Sequence, residues 1–122
     1  MSKKVLLVDD NDGIRETLEA FLEMEGYLVI TAKDGEEALE KLCSLTELPA
    51  VVFLDLWMPR LDGFGFRSRQ LALPRIADIP VVIMSGDYLN SEQQQLLRPD
   101  GIILKPFDLD DIPKILHENF SL

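Results

Sequence analysis

Acidic, hydroxyl and lysine side chains come directly after four short apolar runs in this sequence. In order these are Asp9-Asp10 after Val5–Val8, Asp55 after Ala50–Leu54, Ser85 after Val81–Met84 and Lys105 after Gly101–Leu104. Carboxylates gathered in one place repel each other by about 4 kcal/mol per pair, at roughly 4 Å and an effective dielectric near 20. A bound cation removes that repulsion, and oxygen ligands without His or Cys favour Mg²⁺, with Mn²⁺ or Ca²⁺ as alternatives. The residue types therefore predict a divalent-cation site if the fold brings these positions together.

Ser85 and Lys105 add a hydroxyl and an ammonium group to the same set. These groups suit an anionic ligand that is rich in oxygen. A phosphoryl group fits, because a cation can bridge its oxygens while the ammonium neutralises charge and the hydroxyl donates a hydrogen bond. Asp55 follows the most apolar run, which makes it the candidate carboxylate nucleophile. The predicted chemistry is transfer of a phosphoryl group to an aspartate.

The elements that must position these residues alternate between strands and helices. Strands are predicted at Val5–Val8, Tyr27–Ala32, Ala50–Leu54, Val81–Met84 and Gly101–Leu104. Helices are predicted from Ile14 towards Gly26, around Ala38–Leu42, at Phe64–Leu73, at Ser91–Leu97, and from Asp108 or Asp111 towards His117. Apolar strands without polar alternation indicate a parallel sheet covered by helices on both faces. Ligands of such sheets bind beyond the carboxyl ends of the strands, so the polar residues are expected to converge at one edge.

Short polar residues and prolines predict where several helices begin. Asp10, Asn11 or Asp12 can cap the first helix, and Ser91 can cap the fourth. Pro113 lies early in the last helix, where it is expected to shift the start or to bend the first turn.

Length and composition indicate one globular domain over residues 1–122. Single domains commonly run to roughly 100–200 residues, and 47% of the 122 residues here are hydrophobic. The 12 Lys and Arg against 22 Asp and Glu give a net charge of −10, which argues against direct binding to nucleic acid or anionic lipid. The first apolar run is too short for a secretion signal, and a single cysteine fits a reducing compartment. A cytoplasmic location is therefore expected.

Four motifs make the sequence resemble the receiver domain of bacterial two-component response regulators. They are Val8-Asp9-Asp10-Asn11, Leu54-Asp55-Leu56-Trp57-Met58-Pro59 with Asp62-Gly63, Met84-Ser85-Gly86 and Lys105-Pro106-Phe107. Each motif alone is weak. The set is specific because 45, 30 and 20 residues separate Asp10, Asp55, Ser85 and Lys105 in turn. The resemblance covers nearly the whole chain and implies a flavodoxin-like (βα)5 fold of the α/β class, with a doubly wound five-stranded parallel sheet in the order 2-1-3-4-5.

The resemblance also implies a role for each motif. Asp55 is expected to accept a phosphoryl group from a histidine kinase or a histidine phosphotransfer protein. The implied ligands are Asp9, Asp10, Asp55 and the backbone carbonyl of Trp57 for Mg²⁺ (or Mn²⁺ in its place), with Ser85 and Lys105 for the phosphoryl oxygens. The bond between Lys105 and Pro106 is expected to be cis.

Such a domain is a signalling phosphoacceptor rather than an enzyme. Slow self-phosphorylation from small donors and slow self-dephosphorylation are expected. Phosphorylation is expected to switch contacts with a downstream protein or an output domain, and a dimer linked to phosphorylation is left open. Neither nucleic acid nor a membrane is expected as a direct partner.

Ile102 departs from the family pattern. Members typically carry Tyr or Phe three residues before the lysine, as a switch that turns inward on phosphorylation, and Ile102 stands at that position. The segment from Ser85 to Lys105 is also short, which is expected to trim the fourth helix. We therefore expect Ser85 to move towards the phosphoryl group while Ile102 responds less strongly. Trp57 and Asp87 flank the acceptor and are expected to tune access to the acyl phosphate.

Two other functions fit parts of the sequence. Ile102 suggests an interaction module that keeps the fold but works without phosphorylation. A Mg²⁺-dependent phosphatase would need an acid two residues after Asp55, where Trp57 stands instead. Taken singly, the acids could also be helix caps or turn residues, and Lys105 a solvated surface lysine.

Two further expectations concern residues outside the motifs. Cys43 is expected to be a small hydrophobe buried in the second helix. A solvated helix face is expected for Arg60, Arg67, Arg69 and Arg75.

Overall fold

The computed structural model describes residues 3–122, in which strands and helices alternate as predicted. The strands are β1 Lys4–Val8, β2 Leu28–Ala32, β3 Val51–Asp55, β4 Val81–Ser85 and β5 Gly101–Leu104. The helices are α1 Asp12–Met24, α2 Gly35–Ser44, α3 Gly63–Leu71, α4 Ser91–Leu97 and α5 Asp111–Phe120. Within the described range, no helix combines the length and apolar character needed to span a bilayer.

All strands pair in parallel in one sheet, in the order β2-β1-β3-β4-β5. This order confirms the predicted fold class, with β2 as an edge strand of the sheet. In the register of β1 and β3, Val8 lies opposite Leu54. The next residues, Asp9 just after β1 and Asp55 at the last position of β3, therefore lie side by side at the carboxyl edge of the sheet.

Alternate residues of the strands feed two hydrophobic cores, one on each face of the sheet. Leu6 and Val8 belong to the core that packs under α2, α3 and α4. Val5 and Leu7 belong to the core that packs under α1 and α5. Burial on both faces explains the absence of polar alternation in the sequence. The result is a rigid platform whose carboxyl edge holds the polar residues.

Side-chain caps fix the starts of helices α1 to α4. Asn11 is the cap of α1, since its Oδ1 accepts the N–H of Ile14 at 3.0 Å. The prediction that Ser91 caps α4 was wrong, because Asn90 caps it and forms a reciprocal capping box with Gln93. Pro113 falls in the first turn of α5, where a missing N–H breaks no intrahelical bond.

Arg67 contradicts the expectation of a solvated arginine face. Its side chain is buried, and its guanidinium donates to the carbonyls of Leu97 at 2.8 Å and Arg98 at 2.9 Å and to Gln70 Oε1 at 2.8 Å. Carbonyls at the C-terminal end of a helix lack intrahelical donors. The guanidinium of Arg67 donates hydrogen bonds to the carbonyls at the end of α4. The other three arginines are exposed as expected, but two of them lie in turns outside α3 and not on a helix face. Arg67 thus ties α3 to the end of α4.

Cys43 is exposed, so the prediction of a buried cysteine was wrong. Helix α2 turns Ala38, Leu39 and Leu42 into the core. That choice of buried face leaves Cys43, the next residue along, on the solvent side of the helix.

Candidate phosphoacceptor and cation site

Three carboxylates gather where β1 and β3 end. Asp9, Asp10 and Asp55 each place an oxygen within 4.8 Å of an oxygen of the other two. Asp9 and Asp55 are buried, whereas Asp10 is exposed. The cluster therefore has a protein side and a solvent side, and a cation could reach it from solvent.

The two oxygens of Asp9 have different surroundings. Oδ1 accepts the backbone N–H of Asn11 at 3.0 Å. Oδ2 is fully buried and has no hydrogen-bond partner among the described residues. A buried carboxylate oxygen without a donor is costly, and such an exception needs an explanation. A cation bound to Asp9 Oδ2 would give this oxygen a partner, so the set of oxygen ligands fits Mg²⁺.

Lys105 reaches into the cluster from the end of β5. Its Nζ lies 3.1 Å from Asp55 Oδ1 and donates a hydrogen bond to it, and lies 3.6 Å from Asp9 Oδ2. The backbone N–H of Lys105 donates to the carbonyl of Ser85 at 2.7 Å, which fixes the lysine beside the end of β4. The bond between Lys105 and Pro106 is cis, as predicted. One ammonium thus faces two carboxylates at the centre of the site.

Asp55 is held in an environment that disfavours its charge. Burial raises the pKa of Asp55 from 3.8 to about 6, the charge of Asp9 adds to the rise, and Lys105 opposes it. Removal from water and a like charge both favour the protonated acid. The charge of Lys105 therefore does not offset the combined effect of burial and of Asp9 on the pKa of Asp55. A second positive charge would lower this pKa.

Ser85 lies at the same edge but points into its own loop. Its side chain is nearly fully buried, and its Oγ donates to the carbonyl of Asp87 at 2.8 Å and accepts the N–H of Asp87 at 3.1 Å. The structure thus brings Ser85 to the predicted edge, while its hydroxyl bonds to the loop after β4.

Trp57 stands in the loop after β3, and its side chain is 58% exposed. Its ring packs at a tilt on Phe64, with 5.7 Å between the centroids. The loop is closed where the Gly63 N–H donates to the carbonyl of Leu56 at 2.7 Å. A Cβ on Gly63 would lie 3.0 Å from the Leu56 Cα, a contact tight enough that the neighbouring residue would have to shift, so the close approach favours glycine. The loop is therefore held firmly beside Asp55.

An apolar groove opens next to Lys105. It has a volume of about 700 Å³ and lies between the start of α1 and residues 105–109. Ile14 and Leu109 are exposed in its walls. The groove gives the site a neighbouring surface that a protein partner could cover.

Sequence reasoning missed Arg15, which touches the loop that carries Asp9 and Asp10. Its guanidinium donates to the Asp9 carbonyl at 2.8 Å and to Asp12 Oδ1 at 2.6 Å. One signal was available in the sequence. An arginine near a helix N-terminus faces the positive end of the helix dipole and needs compensating contacts.

Comparisons with known proteins agree with this geometry. The family model for the response regulator receiver domain matches residues 5–117. The probable transcriptional regulator ycf27 of Guillardia theta is 41% identical over 107 residues, which cover 86% of this chain and 40% of that protein. The chain thus spans less than half the length of this relative.

Two solved structures show the same fold. The chemotaxis protein CheY4 of Vibrio cholerae superposes with a TM-score of 0.87 at 28% identity, over 98% of this chain and 99% of that one. The receiver domain of the sensor histidine kinase PA1611 from Pseudomonas aeruginosa has a TM-score of 0.85 at 22% identity, and each chain is fully covered. That second structure has a magnesium ion coordinated in its active site cleft.

Proposed function

The chain belongs to the family of response regulator receiver domains, and from that premise we propose that Asp55 is its phosphoacceptor. One observation carries the proposal. Asp55 lies at the centre of the carboxyl edge, 3.1 Å from the Lys105 ammonium and within the three-carboxylate cluster. Phosphorylation of a receiver domain by a histidine kinase is the standard function of this family.

The chemistry of the transfer follows from these groups. A carboxylate oxygen of Asp55 attacks the phosphorus of a phosphohistidine, a P–O bond forms and the P–N bond breaks. The imidazole leaves with the bond's electron pair and takes a proton from solvent. Lys105 neutralises the oxygens of the phosphoryl group. Water later attacks the phosphorus of the acyl phosphate, which restores the Asp55 carboxylate and releases inorganic phosphate.

Mg²⁺ is the proposed cofactor of this site. Asp9, Asp10 and Asp55 would hold it, together with the backbone carbonyl of Trp57. When bound, the cation neutralises charge on the carboxylates and on the phosphoryl oxygens. The buried Asp9 Oδ2 without a donor supports the proposal, and so does the magnesium ion in the PA1611 receiver domain. Mn²⁺ has the same ligand preference and is expected to substitute.

Ser85 provides the conformational response. To donate to a phosphoryl oxygen on Asp55, its hydroxyl must give up the hydrogen bond that it donates to the carbonyl of Asp87. Each such bond contributes about 1 kcal/mol to stability, so the new contacts to the phosphoryl group can offset the loss. The loop after β4 then rearranges, and this change reports the phosphorylated state.

The partners follow from the chemistry and from the relatives. The phosphoryl donor is a histidine kinase or a histidine phosphotransfer protein. We propose residues 1–122 as a single receiver domain, of which residues 5–117 match the family model. Its output is a contact with a downstream protein or an output domain, in line with a relative described as a probable transcriptional regulator. A dimer linked to phosphorylation is the other output to be tested.

Incubation with Mg²⁺ and a small acyl-phosphate donor tests the proposal by intact mass. The wild-type chain should gain one phosphoryl group, Asp55→Asn should gain none, and the exposed Asp78→Asn control should behave as wild type. Gain by Asp55→Asn would place the acceptor elsewhere. A wild-type chain that binds Mg²⁺ but takes up no phosphoryl group would favour the phosphorylation-independent interaction module.

A further inference from the structure

Arg15 lies one turn into α1 and reaches back to the end of β1. Its Nη1 donates to the Asp9 carbonyl at 2.8 Å, and its Nη2 donates to Asp12 Oδ1 at 2.6 Å. Only 16% of the side chain is exposed. One guanidinium therefore joins the first residue after β1 to the first residue of the helix.

The turn from Asp9 to Asp12 is held at two other points. Asp9 Oδ1 accepts the N–H of Asn11, and Asn11 Oδ1 accepts the N–H of Ile14, both at 3.0 Å. Arg15 adds a third link to this turn, between the Asp9 carbonyl and the Asp12 side chain. Beside these links, Asp9 Oδ2 makes no hydrogen bond among the described residues and lies 3.6 Å from Lys105 Nζ.

We propose that Arg15 is a positioning residue for the cation site. It fixes the backbone of the Asp9–Asp12 turn, so that the carboxylates of Asp9 and Asp10 face the cation before it binds. This inference rests on the proposed function, since it concerns the same cation site. Asp12 balances the charge of Arg15, so the guanidinium anchors the turn without adding an unpaired positive charge.

The expected effect is a loss of cation affinity. Without the guanidinium the Asp9 carbonyl loses a donor and the turn gains freedom, so cation binding must order the turn. Loss of such an outer contact typically weakens metal binding by about 10-fold or more. Arg15→Lys should show an intermediate loss, because one ammonium lacks the planar fork that bonds two acceptors at once.

Titration with Mg²⁺ alone, followed by the fluorescence of Trp57, tests the inference. Trp57 is the single tryptophan and lies two residues after Asp55. The variants are Arg15→Ala, Arg15→Lys and the control Arg69→Ala, which removes an exposed arginine that pairs with Glu36. Phosphoryl uptake from a small acyl-phosphate donor is measured at limiting and at saturating Mg²⁺. Urea unfolding without a divalent cation gives the stability of each variant.

A positioning role predicts that Arg15→Ala binds Mg²⁺ more weakly but takes up the phosphoryl group at a near-normal rate at saturating Mg²⁺. Arg15→Lys should recover part of the Mg²⁺ affinity, and Arg69→Ala should behave as wild type. Unchanged Mg²⁺ affinity in Arg15→Ala would overturn the inference. So would uptake that stays low at saturating Mg²⁺, because that pattern indicates general damage. If Arg15→Ala does not fold, Arg15→Lys must show the weaker affinity on its own. A wild-type chain that binds no Mg²⁺ would instead refute the proposed function.

Discussion

Neutralising Asp55 should stabilise the protein above pH 6 when no divalent cation is present. The pKa of Asp55 rises from 3.8 to about 6 on folding, chiefly through burial and then through Asp9. Between these two pH values, the native state holds the proton of the Asp55 carboxyl more tightly than the unfolded chain does. The free energy of unfolding therefore falls as the pH rises from about 4 to 6. Above pH 6 the ionised Asp55 carboxylate destabilises the native state by its full amount. Asp55→Asn removes the ionisation and hence the cost.

The magnitude follows from the shift. About two pKa units at about 1.4 kcal/mol each give about 3 kcal/mol as an upper bound. Because the cluster opens to solvent through the exposed Asp10, screening lowers the expected gain to about 1–2 kcal/mol. Lys105 keeps a partner in the variant, since Asp9 Oδ2 lies 3.6 Å from its Nζ.

Urea unfolding followed by circular dichroism measures this gain. Wild type, Asp55→Asn and the exposed control Asp78→Asn are compared at pH 7.5 with a chelator and near pH 4. The difference between wild type and Asp55→Asn should be largest at pH 7.5 and shrink near pH 4. Mg²⁺ should stabilise wild type by about 1.4 kcal/mol at ten times its dissociation constant, and Asp55→Asn by less. An Asp55→Asn chain that is less stable than wild type at pH 7.5 would refute the reasoning.

Three further predictions concern the neighbouring residues. Lys105→Ala should slow phosphoryl uptake about 100-fold in an intact-mass time course, because it removes the charge that binds the phosphoryl oxygens. Uptake at the wild-type rate would contradict that role. Arg67→Met should lower the free energy of unfolding in urea by about 2–3 kcal/mol, since it leaves buried carbonyls at the end of α4 without donors. An unchanged unfolding midpoint would show that these bonds contribute little. Phosphorylation should shift the amide resonance of Ser85 more than that of Ile102, and equal shifts would count against the weaker response at Ile102.

Local patterns were enough to predict the order of the elements. Runs such as Val81–Met84 are apolar at every position, and the sheet buries both faces of the strand that they form. The strand bounds were therefore correct to within one residue at each end. Helix starts were less certain, because several short polar residues compete for each cap. Ser91 and Asn90 are neighbours, and only the geometry of the turn selects Asn90.

Side-chain burial was predicted less well where it depends on distant partners. Arg67 is buried because the carbonyls that it satisfies lie about thirty residues further along the chain. Cys43 is exposed because α2 turns the face with Leu42 towards the sheet. The burial of Arg67 is not visible in the residues adjacent to it, whereas the spacing of the buried residues of α2 was a local signal for the exposure of Cys43. The contacts of Arg15 were missed although its place near the start of α1 indicates that it needs compensating partners.

The sequence by itself determined the sheet and the residues at its carboxyl edge. Continuous apolar runs and the position of polar residues after each run are local properties, and the parallel topology then places the strand ends together. The tertiary structure alone decided how those residues interact. It buried Asp9 Oδ2 without a donor, placed Lys105 within reach of two carboxylates and raised the pKa of Asp55 to about 6. These properties depend on distances and desolvation, which are set only when strands distant in the sequence pack side by side.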